Sequence, residues 1–546
     1  AGELGSAGRG LAVVWAPGCG AGTWRGANWG VQGAVWWLSG LPSWSRWQAL
    51  EMEPVLTPEE MTAVDAAAAD RMDELVQRAG AAVARQALRM LGGAYGRRVH
   101  VMAGPGNNGA DGRVAAELLR RRGVRVSVGT HDQPVPTAVA HDLLIDAAFG
   151  TGLSRPYEPP PAPGGVPVLA VDIPSGLDGL TGELRGRPWR ADATITFAAL
   201  KSGLILGEGP EYCGAVEVAG IGLSVDAEVG SGSRLTRGLV TDDDVACHWP
   251  GRSTSAHKWQ SAVWVIGGSP GMTGAAALVA QAASRAGAGY VLVSAPPAPS
   301  SQRSVGEDSR IRTDGTGVPG PHGHLPAAPL PVEAVTRQLN GDGGVGSSWA
   351  ETVAAEQRVG ALVIGNGLGR DEGVLDGVIE LLALSDAPAV LDADALGGGG
   401  ERLLDACARR QATTVLTPHD GEYAALMGDP PGSDRLEAAL RLARRGNCIA
   451  LLKGPTTVVA GPDGRVAIST SGDQRLATAG TGDVLAGIVG AALARDGADP
   501  LMSVALAAHV HGRAAMRGPE LGFRASDLPD LVAATLDELV TDGYHP

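Results

Sequence analysis

The chain has 546 residues, too long for one ordinary domain, and 44% of them are hydrophobic, enough for proper cores. Its net charge of −15 argues against a general nucleic-acid or anionic-membrane binder, since both want basic patches, but backbone N–H groups can still hold a small phosphorylated ligand. Five scattered cysteines without a CxxC pair argue against a disulfide framework or a structural zinc site, and no apolar run reaches the roughly 18 residues of a spanning helix.

Residues 1–52 hold seven of the twelve tryptophans among glycines and few charges. They read as a disordered or non-native leader, with Met52 as a start. A secretory signal is disfavoured by the short apolar core and the single Arg9. From Thr57 a helical pattern runs to Leu91, with Thr57 as N-cap, Pro58 at the first position and Glu60 completing a capping box. Short apolar runs then alternate with helical segments: "RVHVMAG", "VRVSVGT", "DLLIDAAFG", "VPVLAVDIP" and "ADATITFAA". That is the βαβ rhythm of a parallel sheet. Residues 222–238 look like a linker. A second α/β series starts near Ser261, with "SAVWVIGG", "YVLVSAP", "ALVIGNG", "APAVLDADAL", "TTVLTPHDGE", "CIALLKG" and "TTVVAGPDG". Residues 296–345, rich in Pro, Gly and Ser, break this rhythm and read as a disordered insertion. The expected fold is thus α/β: two doubly wound, three-layer α/β/α domains, at 53–230 and 236–546.

Three loops of the first half, "GPGNNGADG", "DAAFGTGLSRP" and "VDIPSGLDG", fall at the C-terminal ends of predicted strands, where open α/β sheets bind ligands. The first has neither the Lys-Ser/Thr of a P-loop nor the GxGxxG of a dinucleotide fingerprint. Asn107, Asn108 and Asp111 put polar groups on it, and Asp146, Asp172 and Ser175 follow at later strand ends. Each alone is ordinary turn chemistry, but three such loops in succession are not. An oxygen cluster with few net charges suits a weakly bound cation.

Together with "TFAALKSGL", these motifs resemble the epimerase domain of the NAD(P)H-hydrate repair enzymes, over most of about 150 residues, with a Rossmann-like fold. The resemblance implies that Asn107, Asn108, Gly109, Ala110 and Asp111 hold the hydrated dinucleotide. Gly150, Thr151, Gly152, Leu153, Ser154, Arg155 and Pro156 would share that role. It makes Asp172 the catalytic residue at the nicotinamide end, and Asn108, Asp146 and Ser175 ligands of a potassium ion. Lys201 is a second candidate, although a solvated lysine after a strand is commoner. The family pattern has glycine where this chain has Ala110. At positive φ an alanine there would strain the turn by about 1 kcal/mol.

In the second half, Gly480-Thr481-Gly482-Asp483 opens an apolar helix whose free N–H groups suit phosphate oxygens. Asp483 could take a proton from a hydroxyl attacking a phosphate, or could merely cap the helix. "LLKGPTTVV", "LTPHDGEYAAL", "VLDADAL" and "GGSPGMTGAAALVA" add Lys453, His419, Glu422, Asp392 and Asp394 at strand ends. The set resembles the ribokinase-like superfamily and, within it, the ADP-dependent NAD(P)H-hydrate dehydratase, across about 230 residues. The resemblance implies that Lys453, Gly454, Pro455, Thr456, Thr457 and Gly482 bind ADP, with Mg²⁺ bridging phosphates. It places Ala276, Gly367, His419 and Asp483 against the hydrate, with Asp483 as catalytic base. Two departures stand out: Asn366 where the family has proline, and "HKWQSA" at 257–262.

The resemblance implies a cytoplasmic homo-oligomer acting on hydrated NADH and NADPH, with no nucleic-acid or membrane partner. A kinase of a small vitamin-precursor alcohol, fused to a non-catalytic nucleotide-binding scaffold, is the alternative.

Overall fold

A computed structural model describes residues 13–15, 52–153, 155–223, 225, 236–252, 254–297, 329–339, 348–370, 372–495 and 497–542. It divides the chain into two units, Ala1–Leu239 and Val240–Pro546. The leader expectation lies outside the described residues, except at Val13–Trp15 and Met52. Among the described residues, no helix is long and apolar enough to cross a membrane.

The first unit carries a seven-stranded, all-parallel sheet. Its strands are β1 (Val13–Trp15), β3 (Arg98–Ala103), β4 (Arg125–Thr130), β5 (Leu143–Ala147), β6 (Val168–Val171), β7 (Ala193–Phe197) and β9 (Ala215–Ala219), in the order β1-β9-β7-β6-β5-β3-β4. Both faces are covered, so the central strands read as continuous apolar runs rather than alternating ones. Val99, Val101, Ile145 and Val171 join one core with Leu75, Ala79 and Val83. Met102, Leu144 and Ala170 join the opposite one with Trp189. A smaller ribbon pairs β2 (Glu53–Leu56) in parallel with β8 (Leu200–Lys201) and antiparallel with β10 (Arg237–Leu239). The expected 222–238 linker is corrected at its end, where Arg237 and Gly238 belong to that strand.

The capping box forms as the sequence requires: Glu60 N donates to Thr57 Oγ1 at 3.2 Å, and Thr57 N to Glu60 Oε2 at 2.9 Å. The helix it opens is not continuous to Leu91. It breaks at Ala68 into α1 (Pro58–Ala67), a 3-10 turn and α2 (Met72–Leu91). Helix α3 (Asn107–Arg121) starts earlier than its apolar pattern, so "NNGADG" is the opening of a helix and not a free turn.

The second unit's sheet runs β13 (Val335–Thr336), β12 (Tyr290–Ser294), β11 (Ala262–Ile266), β14 (Ala361–Ile364), β15 (Ala389–Leu391), β16 (Thr414–Leu416), β17 (Ile449–Leu452), β18 (Thr457–Ala460) and β19 (Val466–Ser469). Pairing is parallel as far as β17 and antiparallel beyond it. The structureless reading of 296–345 is corrected at Val335–Thr336, which pair with β12, and at Leu339, which is buried. Residues 298–328 and 340–347 lie outside the described residues.

In each unit the strand order reverses beside the first strand of the series. β3 lies between β4 and β5, and β11 between β12 and β14. At such a switch point the loops at the carboxyl ends diverge and leave a crevice for a ligand.

Candidate active sites

In the first unit, the crevice beyond β3 and β5 is a cavity of about 420 Å³. Asn107, Asn108 and Asp111 line it from α3, Gly150 to Leu153 from the loop after β5, and Asp172 and Lys201 from the far side. The backbone packs closely beside it. A methyl group on Gly104 would lie 1.7 Å from Ala148 O, and one on Gly109 1.9 Å from Gly104 O. Gly109 therefore serves packing and, with Ala110, does not face the cavity. Ala110 N donates to Gly106 O at 3.1 Å in the helix, and its φ is not positive, so the expected strain is absent. Arg155 and Pro156 are exposed and do not line the cavity. Ser154 lies outside the described residues.

Strain sits at Asp172 instead, at φ +65°, a left-handed conformation costly for any residue with a Cβ. Both oxygens of its side chain are held. Oδ1 lies 2.9 Å from Lys201 Nζ and accepts from Thr196 Oγ1 at 3.2 Å, while Oδ2 accepts from Thr151 N at 3.4 Å. Lys201 is 1% exposed, which corrects the solvated reading. Its ammonium also donates to Thr196 Oγ1 and Phe197 O, each at 2.8 Å. Burial first, then the charges of Asp172 and Asp65, pushes the Asp111 carboxyl up to about 8. One carboxyl is thus ion-paired and the other keeps its proton, a division that separates base from acid.

Ser175 Oγ donates to Asp146 Oδ1 at 2.6 Å, and Ser175 N to Oδ2 at 2.8 Å. Burial raises the Asp146 carboxyl, against these bonds. Ser175 Oγ also accepts from Phe149 N at 2.9 Å. Next to Phe149, a methyl on Gly150 would lie 2.8 Å from Asp172 Oδ2 and 3.8 Å from Asn108 Cβ. Both amide atoms of Asn108 are buried without a protein partner. An uncharged oxygen in that state suits a monovalent cation. Among the described residues, no cluster of three His, Cys, Asp or Glu could hold a metal ion.

In the second unit, Gly480 at φ +95° admits helix α4 (Thr481–Leu493), and Asp483 stands in its first turn. The His511 ring meets Thr481 O at 2.9 Å through Nε2. Burial pushes this imidazole down to about 4, so it is neutral and donates. Asp483 Oδ1 accepts from Asn366 Nδ2 at 2.7 Å, and the same nitrogen reaches Asp392 Oδ2 at 3.0 Å. Asp392 Oδ1 takes Thr417 Oγ1 at 2.7 Å and Lys453 Nζ at 2.9 Å, and Lys453 lies 3.5 Å from Glu422 Oε2. Burial opposes the Lys453 charge, but Asp392 and Glu422 outweigh it and raise its pKa. A methyl on Gly482 would lie 3.7 Å from Lys453 Nζ, so the helix opening faces this ammonium.

The remaining candidates gather less closely. Gly367, at φ +65°, lets the chain pass Met272 O, and Ala276 is buried where a methyl on Gly268 would lie 2.8 Å from its Cβ. His419 caps the helix Asp420–Met427: its Nδ1 accepts from Gly421 N at 3.0 Å and Glu422 N at 3.2 Å, and its Nε2 lies 3.6 Å from Glu422 Oε1. Thr456 is buried, Pro455 exposed and Thr457 lies in β18. A methyl on Gly454 would lie 2.7 Å from Arg435 Nη2, which donates to Lys453 O. Arg435 and His511 carry no motif, and nothing local in the sequence signals them, while Thr196 opens "TFAALKSGL" without being singled out there. Asn366 is visible there only as a departure.

A family profile described as YjeF-related protein N-terminus matches residues 72–141 and 129–203, and one described as NAD(P)H-hydrate dehydratase matches 325–537. A bifunctional NAD(P)H-hydrate repair enzyme from Salinibacter ruber is 34% identical over 555 residues, spanning 90% of this chain and 97% of that one. The chain belongs to the bifunctional NAD(P)H-hydrate repair enzyme family. Members from Moorella thermoacetica, at 35% identity over 81% of this chain and 88% of theirs, and from Escherichia coli, at 32% over 86% and 91%, are similar throughout. The Bacillus subtilis ADP/ATP-dependent NAD(P)H-hydrate dehydratase, solved after co-crystallisation with ATP/Mg²⁺, is 26% identical over 55% of this chain and 97% of its own, with a TM-score of 0.43.

Proposed function

We propose that this chain repairs hydrated NADH and NADPH: the first unit interconverts the two epimers of the hydrate, and the second dehydrates the S epimer at the expense of ADP. Membership of the repair family over both units supports the reading. The observation that carries it is the half-buried Asp483, set at a helix N-terminus and tied through Asn366 to the Asp392–Lys453 pair.

In the first unit, Asp111 keeps a proton that it donates to the hydrate's hydroxyl, which leaves as water. The ring becomes a cationic iminium, and Asp172, fixed by Lys201 and Thr151, faces that charge. Return of water to the other ring face gives the other epimer and restores the proton. Asn107, Gly150 and Thr151 hold the dinucleotide. A potassium ion at Asn108, Asp146 and Ser175 would supply a fixed positive charge beneath the loop.

In the second unit, Asp483 takes the proton of the hydrate's hydroxyl as its oxygen attacks the β-phosphate of ADP, and AMP leaves. Hydroxide is a poor leaving group and phosphate a good one. Elimination of phosphate with a ring proton then restores NADH or NADPH. Lys453 and the N–H groups of Gly482 and Asp483 meet the phosphate charge. Magnesium brought with the nucleotide would neutralise phosphate charge near Lys453. His419, Gly367 and Ala276 border the hydrate, and Gly454 to Thr457 border the nucleotide.

Incubation with hydrated NADH, ADP and Mg²⁺, using each pure epimer, should return NADH absorbance. The R epimer should react only through the first unit. No return of absorbance, with a vitamin-precursor alcohol phosphorylated instead, would favour the kinase reading.

A further inference from the structure

Asn366 follows β14, is 0% exposed, and stands between two carboxylates. A side-chain amide has two N–H donors, and both are used here: one on Asp483 Oδ1 and one on Asp392 Oδ2. Its backbone is equally fixed. Gly268 N donates to Asn366 O at 3.1 Å, and a methyl on Gly267 would lie 2.3 Å from that oxygen. The amide therefore has little room to turn, and its two donors bridge acids that would otherwise repel.

We propose that Asn366 is a positioning residue for phosphoryl transfer: it ties Asp483 Oδ1, leaves Oδ2 for the substrate proton, and couples the base to the Asp392–Lys453 pair. This rests on Asp483 being the base. Burial pushes the Asp483 carboxyl up to about 6, against the hydrogen bond from Asn366, with Asp392 and Asp394 adding to the rise and Lys453 opposing it. Removing the amide donor removes the chief force that resists protonation. A residue that only filled space would lack this effect.

The test is the pH profile of kcat/KM for dehydration by the full chain, comparing wild type with Asn366→Ala and Asn366→Asp. In Asn366→Ala the acid limb should move up by about one unit, a roughly tenfold loss at acidic pH that recovers on the alkaline side, with KM for ADP within about twofold. Asn366→Asp keeps the shape, adds a third carboxyl, and should move the limb further. An unmoved limb, whether with a uniform loss or none, would overturn the proposal. Difference infrared titration of the Asp483 carboxyl, assigned by its absence in Asp483→Asn, reads the same shift without substrate. If the wild type shows no hydrate turnover, the functional reading falls while the infrared shift still decides the role of Asn366.

Discussion

Lys201 Nζ lies 2.9 Å from Asp172 Oδ1, although the two residues come from different strand ends and Asp172 must adopt φ +65° to make the contact. The ammonium is fully buried, so this pair is a structural commitment and not a surface decoration. Breaking a fully buried pair from one side leaves an uncompensated charge, at a cost of about 3–5 kcal/mol. Asp172 is only half-buried and lines the cavity, so Lys201→Met should destabilise the first unit by less than that in a urea titration. Relaxation of an epimer mixture should slow at least about tenfold, while dehydration of the pure S epimer proceeds as in wild type. Wild-type stability would show that the pair contributes nothing.

The left-handed backbone at Asp172 makes a second comparison informative. Asp172→Ala and Asp172→Gly both remove the carboxylate, and both should slow epimerisation by about 100-fold or more. Only glycine relieves the backbone. Asp172→Gly should therefore be about 1 kcal/mol more stable than Asp172→Ala, measured by thermal or urea unfolding. Equal stabilities would mean that the loop relaxes out of the left-handed region.

At position 110 the expectation reverses the one drawn from the family pattern. Ala110 is helical, so Ala110→Gly should cost about 0.5–1 kcal/mol and bring no gain in epimerase rate. The glycine that the site needs is Gly109. Gly109→Ala would drive its methyl into Gly104 O and should reduce epimerisation more than Ala110→Gly does. A faster enzyme on restoring glycine at 110 would contradict the helical assignment.

Asp111 gives a pH dependence of stability with a definite sign. Its carboxyl is pushed from 3.8 to about 8 in the folded chain, so between those values the folded state binds a proton that the unfolded state has lost. That contribution falls as pH rises from about 4 to about 8. Asp111→Asn removes the titration. The variant should therefore gain on the wild type steadily across this window and level off above it, as read from urea midpoints at several pH values. A constant difference across the window would place the Asp111 carboxyl in the ordinary range.

Much of this molecule is legible in its sequence. The order of apolar runs determines two α/β units, because buried parallel strands must be apolar on both faces, as at Val168–Val171 and Val263–Ile266. Motifs at strand ends mark the crevices, because chain reversal there needs glycine and the exposed loop carries the polar groups. Thr57 and Glu60 announce their capping box outright. What the sequence leaves open is pairing across distance. Lys201 looks like a solvated lysine until β8 and the chain after β6 bring it to Asp172. Asn366 looks like a lost proline until β14, β15 and α4 converge and make its amide the bridge between Asp392 and Asp483. Ala110 looks strained until the helix is seen to begin at Asn107. Local pattern fixes which face is apolar and where the chain turns. Which charge meets which is decided only when strands distant in sequence are packed side by side, since an ion pair or a shared amide is a property of the packed site and of no single segment.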